Sequence, residues 1–274
     1  MSAQQLLIAL PPSEGKATGG DGPPLELAGL SSPGELTAAR ERVLRSLVKV
    51  CSVTSPRAVT RVRGVLGLPV GLAGELAVNA ALRSAPTLPA AARYTGVLYD
   101  HLGLSTLPPA ARERAASRVA IVSGLWGVVR PDDAIPAYRL SMNVTLPGVG
   151  RLGTFWRAPL AAALPDDALV VDCRSAAYAA AWKPPAGCTV LAVRVFTVAP
   201  DGTRSVVSHM AKATRGDVAR LLLTRPSGAD ADPGTPGDVA ALVSAAGLRC
   251  ELVRPARPGG GAAAPWFLDV LLTT

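Results

Sequence analysis

The sequence predicts an α/β (α+β) fold, a single domain over residues 1–274 in which a mixed β-sheet is surrounded by helices. Three observations carry this. Short apolar runs that suit buried strands, at Leu6–Leu10, Val119–Ser123 and Leu169–Cys173, alternate with helical stretches. Two more apolar runs, Thr189–Val198 and Ser205–His209, flank Ala199-Pro200-Asp201-Gly202, a hairpin signature, so the sheet is not purely parallel. No internal repeat or low-complexity linker divides the chain. Hydrophobic residues make up 49% and aromatic residues only 4%, so aliphatic side chains and alanine must build the core.

The elements follow in order. Leu6–Leu10 is stopped by Pro11-Pro12, and a Gly/Pro-rich loop covers Gly19 to Pro24. Leu36, Val43, Leu44 and Leu47 fall at helical spacing, with Arg40, Glu41 and Arg45 on the other faces. Arg57 to Leu82 reads as helix, hairpin, helix, punctuated by Gly67, Pro69, Gly71 and Gly74. Val119–Ser123 is a strand interrupted at Gly124. Tyr138–Thr145 reads as extended, and Leu146–Gly150 as a strand-to-helix loop. Asp166-Asp167 turns into the strand Leu169–Cys173, after which Ser175 is placed to cap a helix. The hairpin precedes a helix at Arg215–Thr224. Asp238–Ala246 is a helix closed by Gly247, and Leu248–Val253 and Trp266–Leu272 are final strands. The segments at about 226–237 and 255–265 are expected to be mobile loops.

The net charge is +8, mostly arginine, which concentrates phosphates and acidic partners near the surface. Cys51, Cys173, Cys188 and Cys250 form no C-x-x-C pair, so neither a zinc ribbon nor a redox dithiol is indicated. With two histidines, His101 and His209, and scattered acidic residues, no dedicated metal site and no cofactor are expected. The apolar run near the N-terminus is too short and unflanked for a secretion signal. No stretch approaches the roughly 20 apolar residues that span a bilayer, so the expected location is cytoplasmic, away from membranes.

Three clusters could carry chemistry. In Ser123–Met142, glycines and prolines position Arg130, Asp132, Asp133, Tyr138 and Arg139 within ten residues. Two arginines on rigid turns form a fork for phosphate or carboxylate, unless Asp132 and Asp133 pair with them to brace the loop. In Ser208–Gly216, Lys212 and Arg215 stand where a strand meets a helix N-terminus, an end that favours anions. In Pro11–Lys16, Lys16 could meet a phosphate, while Glu14 could act as a base or as its salt-bridge partner. If the chain is an enzyme, Lys16, Glu14 and Tyr138 are its catalytic candidates. No Walker loop and no nucleophile elbow is present. The helical context around Val62–Leu76, with Arg57, Arg61 and Arg63 ahead of it, makes this the place for any helix-hairpin-helix-like element, whose glycines would be Gly67 and Gly71.

The same stretches carry a resemblance. LPPSEGK and GGDGPPLEL, then TGVLYDHL, SGLWGVVRPDDAIPAYRLSM, LGTFW, VVDCRSAAYAAAW and SHMAKATRGDVARLLL occur in the order found in the peroxide stress protein YaaA family, from about residue 6 to 225. Asp172-Cys173-Arg174-Ser175 replaces the family's Asn-x-Ala-Ser, and Ala213-Thr214 replaces a basic-small pair. The resemblance implies a one-domain mixed α/β fold with a positively charged concave cleft. It also implies a role in resisting hydrogen peroxide, tied to limiting free iron and oxidative DNA damage, and DNA binding that includes a helix-hairpin-helix-like element. Its cleft residues would be Lys16, Arg130, Tyr138, Arg139, Lys212 and Arg215. The expected partner is therefore DNA, recognised by structure more than by sequence, or another polyanion. The alternative is an enzyme acting on a small nucleotide-like or phosphorylated substrate in the same cleft.

Overall fold

A computed structural model describes residues 4–225, 232–254 and 263–273. Its main sheet runs in the spatial order Cys250–Val253, Trp266–Thr273, Thr189–Val198, Ala168–Asp172, Gln5–Leu10, Val119–Ser123, Gly127–Val129, with Arg204–Val206 added beside Thr189–Val198. The five inner strands are mutually parallel. The edge strands Cys250–Val253 and Gly127–Val129, and the added Arg204–Val206, run antiparallel to their neighbours. Helices cover the sheet, so the central strands are buried on both faces. Ile8, Ala9, Leu10, Ala120, Ile121 and Val122 have no exposed surface. The expected mixed α/β architecture is present, and buried apolar residues from all parts of the described chain join one core.

Taken in chain order, the parallel strands lie 2-1-3-4-5 in space. The connection after Gln5–Leu10 goes one way and the later ones go the other. A crevice therefore opens beyond the carboxyl ends of Gln5–Leu10 and Ala168–Asp172, where doubly wound sheets collect ligands.

Most elements match the sequence reading, and the differences have local causes. The helix read at Arg215–Thr224 begins seven residues earlier, at Ser208, and the hairpin's second strand is confined to Arg204–Val206. Helix Pro236–Ala245 starts two residues before the expected Asp238, because Thr235 and Asp238 form a capping box. Residues 226–231 and 255–262 of the two expected loops lie outside the described residues, but Asp232 is held by ion pairs to Arg118 and Arg225. Ala263 donates its N–H to the carbonyl of Pro184. Leu146–Gly150 is the turn of a small hairpin that pairs Thr145–Leu146 with Gly150–Arg151, and helix Leu152–Phe155 follows it. Arg40, expected on a polar helix face, is completely buried and donates to the carbonyls of Trp126 (3.0 Å) and Val128 (2.7 Å).

Candidate functional site

The crevice is a cleft of about 570 Å³. Its floor is the loop Pro11–Lys16 that leaves the first strand, and its walls come from Gly67, Thr95–Tyr99, Arg139–Ser141, Ser175–Tyr178 and helix Ser208–Thr224. Three of the sequence clusters thus converge, although the residues that line the cleft, from Pro11 to Arg215, are up to 204 positions apart in the chain. The cationic side chains on this lining are Lys16, Arg139, Lys212 and Arg215, and Glu14 is the carboxylate.

Lys16 is held by its surroundings with no ion pair among the described residues. A backbone bridge joins it to Tyr94, and its ammonium donates to the Ser13 carbonyl at 2.8 Å. Nζ sits 4.1 Å from the centroid of the Tyr138 ring and 5.4 Å from that of Tyr94, within cation–π range. Burial and, after it, the charge of Arg139 push Lys16 down to about 7, while Glu75 and Glu14 oppose the shift in part. A substantial fraction of this amine is therefore neutral at physiological pH.

Glu14 pairs with Arg139, not with Lys16. The Arg139 guanidinium donates to the Glu14 carboxylate at 2.8 Å and to the Glu14 carbonyl at 3.1 Å. Asn79, fully buried on helix Glu75–Ala80, accepts the Arg139 N–H at 2.9 Å and donates to the Arg139 carbonyl at 2.8 Å. Its amide thus copies a strand partner and sets the direction in which Arg139 leaves the loop. Asn79→Ala is expected to lower the unfolding free energy by about 2 kcal/mol, since it takes the partner from two part-buried backbone groups of Arg139. Asn143→Ala, at an exposed position on the cleft lining, is expected to change it by less than about 0.5 kcal/mol. Urea titrations of both variants measure the difference.

Helix Ser208–Thr224 presents Lys212 and Arg215 from its second and third turns, so these cations reach the cleft from the helix flank and not from its N-terminus as expected. The helix can lie close because Gly216 has no side chain. A Cβ there would stand 2.4 Å from the Leu98 carbonyl oxygen. Arg215 is steadied by donating to the Val193 carbonyl at 3.1 and 3.2 Å. Lys212 is exposed and has no ion pair among the described residues.

Two expected cleft residues lie elsewhere. Arg130 donates to the Val119 carbonyl at 2.9 Å and is absent from the cleft lining, so it braces the sheet edge. Asp133 takes the Arg130 backbone N–H, and neither Asp132 nor Asp133 forms an ion pair with either arginine of the expected fork. Tyr138 is buried beneath the cleft. Its hydroxyl bonds to those of Tyr94 (2.9 Å) and Ser123 (2.7 Å), so its ring supports Lys16 while its oxygen faces away into the core. Gly67 borders the cleft as the left-handed residue that ends helix Pro56–Leu66, whereas Gly71, in the 3-10 turn Val70–Leu72, does not.

Ser175 and Tyr178 are cleft residues that the sequence reading does not place in the site. The expected Ser175 cap is not formed by its side chain, which leaves the hydroxyl exposed in the cleft. The loop that carries them is fixed by Arg174, which forms a two-pronged ion pair with Asp172 (2.8 Å on each prong) and donates to the Trp182 carbonyl. Burial raises the Tyr178 hydroxyl, which meets the Met142 backbone and the Ser141 side chain, so it stays protonated. The thiol of Cys173 is buried and pushed up to about 12, and that of Cys51 to about 11, which disfavours the reactive thiolate at both. No group of metal-ligating side chains occurs among the described residues, and none of the described helices is long and apolar enough to cross a membrane.

The model of a family described as peroxide stress protein YaaA matches residues 6–230. The chain is 49% identical to a UPF0246 protein of Streptomyces coelicolor, over 97% of this chain and 98% of that one. It is 44% identical to a UPF0246 protein of Corynebacterium efficiens, over 90% of this chain and 95% of the relative. A UPF0246 protein of a Shewanella species is 30% identical over 65% of this chain.

Proposed function

From the premise that the chain belongs to the peroxide stress protein YaaA family, we propose that it binds nucleic acid or a comparable polyanion through this cleft. The observation that carries the reading is the convergence of Lys16, Arg139, Lys212 and Arg215 on one crevice in which Glu14 is the carboxylate. Glu14 neutralises Arg139 alone, which leaves Lys212 and Arg215 able to meet phosphates. Gly67 brings backbone to the cleft rim, and helix Pro56–Leu66, which it ends, carries Arg57, Arg61 and Arg63 outside the cleft lining, where they extend the basic surface.

The test is fluorescence anisotropy with duplex, single-stranded and branched DNA at two salt concentrations. The wild type is expected to bind more weakly at higher salt. Lys212→Ala/Arg215→Ala is expected to flatten the slope of log affinity against log salt by about 1.8 for duplex, about 0.9 for each lost phosphate contact. Lys183→Ala, an exposed position off the cleft lining, is expected to bind as the wild type does. No binding at low salt, or an equal loss in the Lys183 variant, sinks the reading.

A second reading rests on the size of the cleft. A volume of about 570 Å³ lies within the range of about 300–1,000 Å³ typical of small-molecule sites, so a nucleotide-like or phosphorylated small molecule also fits. Thermal shifts with nucleotides, measured beside the DNA titration, separate the two.

A further inference from the structure

We propose that Lys16 is a nucleophilic amine that forms an imine with an aldehyde carried next to a phosphate. The inference rests on the anion-binding reading of the cleft and adds a covalent chemistry to it.

The placement of Lys16 is unlike that of a phosphate-binding lysine. It lines a cleft together with three other cations, yet its Nζ rests on two tyrosine rings with one backbone carbonyl as hydrogen-bond acceptor. Glu14, two positions away in the sequence, is committed to Arg139. The charged groups that face Lys16 are Glu14 on its own loop, Arg139 on the loop after Tyr138, Glu75 on helix Glu75–Ala80 and Arg93 on helix Ala90–Arg93. Two of these favour the ammonium and two oppose it. Burial then decides the balance and leaves the amine titrating at about 7. Desolvation next to other cations is a recognised way to make a lysine reactive towards carbonyls.

The step balances without an oxidant or reductant. The Nζ lone pair forms a bond to the aldehyde carbon as the C–O π bond breaks, and the proton lost from nitrogen passes to oxygen. Water then leaves the carbinolamine, and amine plus aldehyde have become imine plus water. The proton for the departing oxygen comes from solvent water, so no further group is required. Lys212 and Arg215 supply the phosphate contacts.

The chain has four lysines, Lys16, Lys49, Lys183 and Lys212, which makes the test internally controlled. The protein is mixed with pyridoxal 5′-phosphate, reduced with borohydride and mapped by peptide mass spectrometry. The adduct is expected mainly on Lys16, with a rate that rises through about pH 7 and levels off above it. Lysines with ordinary pKa values, near 10.4, keep gaining reactivity well above that pH. Pyridoxal without its phosphate is expected to label Lys16 about tenfold less, the effect of one charge-assisted contact. Arg215→Ala is expected to lower labelling by the phosphorylated probe in the same way. Lys16→Arg places a permanent cation at the position and removes the adduct. A second arm uses a DNA duplex with one abasic site, whose opened sugar is an aldehyde flanked by phosphates. Borohydride-trapped crosslinking through Lys16 places the aldehyde in nucleic acid, while labelling by the small probe alone assigns a small phosphorylated carbonyl. Even labelling of the four lysines, or a Lys16 rate that does not level off, overturns the inference. If Lys16→Arg still binds DNA while the wild type forms no imine, the covalent chemistry fails and the binding reading stands.

Discussion

Asp133→Ala is expected to lower the unfolding free energy by about 3–5 kcal/mol, the cost of leaving buried cations without their compensating anion. The carboxylate is buried and fully used. One oxygen accepts the Ser31 N–H at 2.9 Å and the Ser31 hydroxyl at 2.8 Å, and the other accepts the Arg130 N–H at 2.8 Å. Its charge also offsets that of Arg40, whose guanidinium has no exposed surface and is pushed down to about 10 by burial. Removing Asp133 therefore strands three donors and leaves Arg40 inside the core with only carbonyl partners. The adjacent Asp132 is exposed, and Asp132→Ala is expected to change stability by less than about 0.5 kcal/mol. Urea titrations followed by circular dichroism compare the two. Equal losses would show that the buried ion network does not carry this part of the fold.

That contrast marks the limit of what the sequence discloses about the fold. Alternating apolar runs and turn residues identify the strands, because a strand buried on both faces must be apolar whatever surrounds it. Val119–Ser123 and Thr189–Val198 are recovered to the residue for this reason. Helix Ser208–Thr224 starts earlier than its sequence suggests, because His209, Met210 and Lys212 carry no cap signal and Val207 caps it without a side chain. The burial of Arg40 is invisible in the periodicity of its helix. A charged residue reads as solvent-facing unless its carbonyl partners, 86 and 88 positions away, are known. Nor can the pair Asp132-Asp133 be divided into one surface and one core residue without the Ser31 contact, which spans 102 positions.

The candidate site shows the same division. Lys16, Arg139, Lys212 and Arg215 were legible because charged residues after strand ends and beside glycines are rarely needed by the core, and the strand order brings them together. Arg130 stands in the same motif as Arg139 and has the same side chain, yet it turns back to the carbonyl of Val119. Only the antiparallel pairing of Gly127–Val129 with Val119–Ser123 decides that direction. Tyr138 belongs to the site through its ring and not its hydroxyl, a distinction that residue type alone does not make. Asn79 left no signal because its value lies in a backbone 60 positions away that lacks a strand partner.

Gly216→Ala is expected to lower the unfolding free energy by about 2 kcal/mol and, through the same displacement, to weaken anion binding. In an isolated helix the substitution would stabilise by about 1 kcal/mol. Here the added Cβ would meet the Leu98 carbonyl oxygen at 2.4 Å, the His101 Cβ at 2.8 Å and the Leu102 nitrogen at 3.1 Å. Two of these atoms are backbone of helix Val97–Leu102, so no side-chain rotation relieves the overlap and the helices must part. Leu98 and Tyr99 line the cleft from one side of that contact, and Lys212 and Arg215 from the other. Widening the contact therefore moves half the cationic set away from Lys16. Gly64→Ala is the opposite case. It lies within helix Pro56–Leu66, is exposed, and has nothing within 4 Å of the added Cβ. It is expected to gain up to about 1 kcal/mol from helix propensity alone and to leave anion binding unchanged. Stability and DNA affinity measured on both variants read out whether close packing at one glycine sets the geometry of the cleft. A stabilised Gly216→Ala with wild-type affinity would break that link.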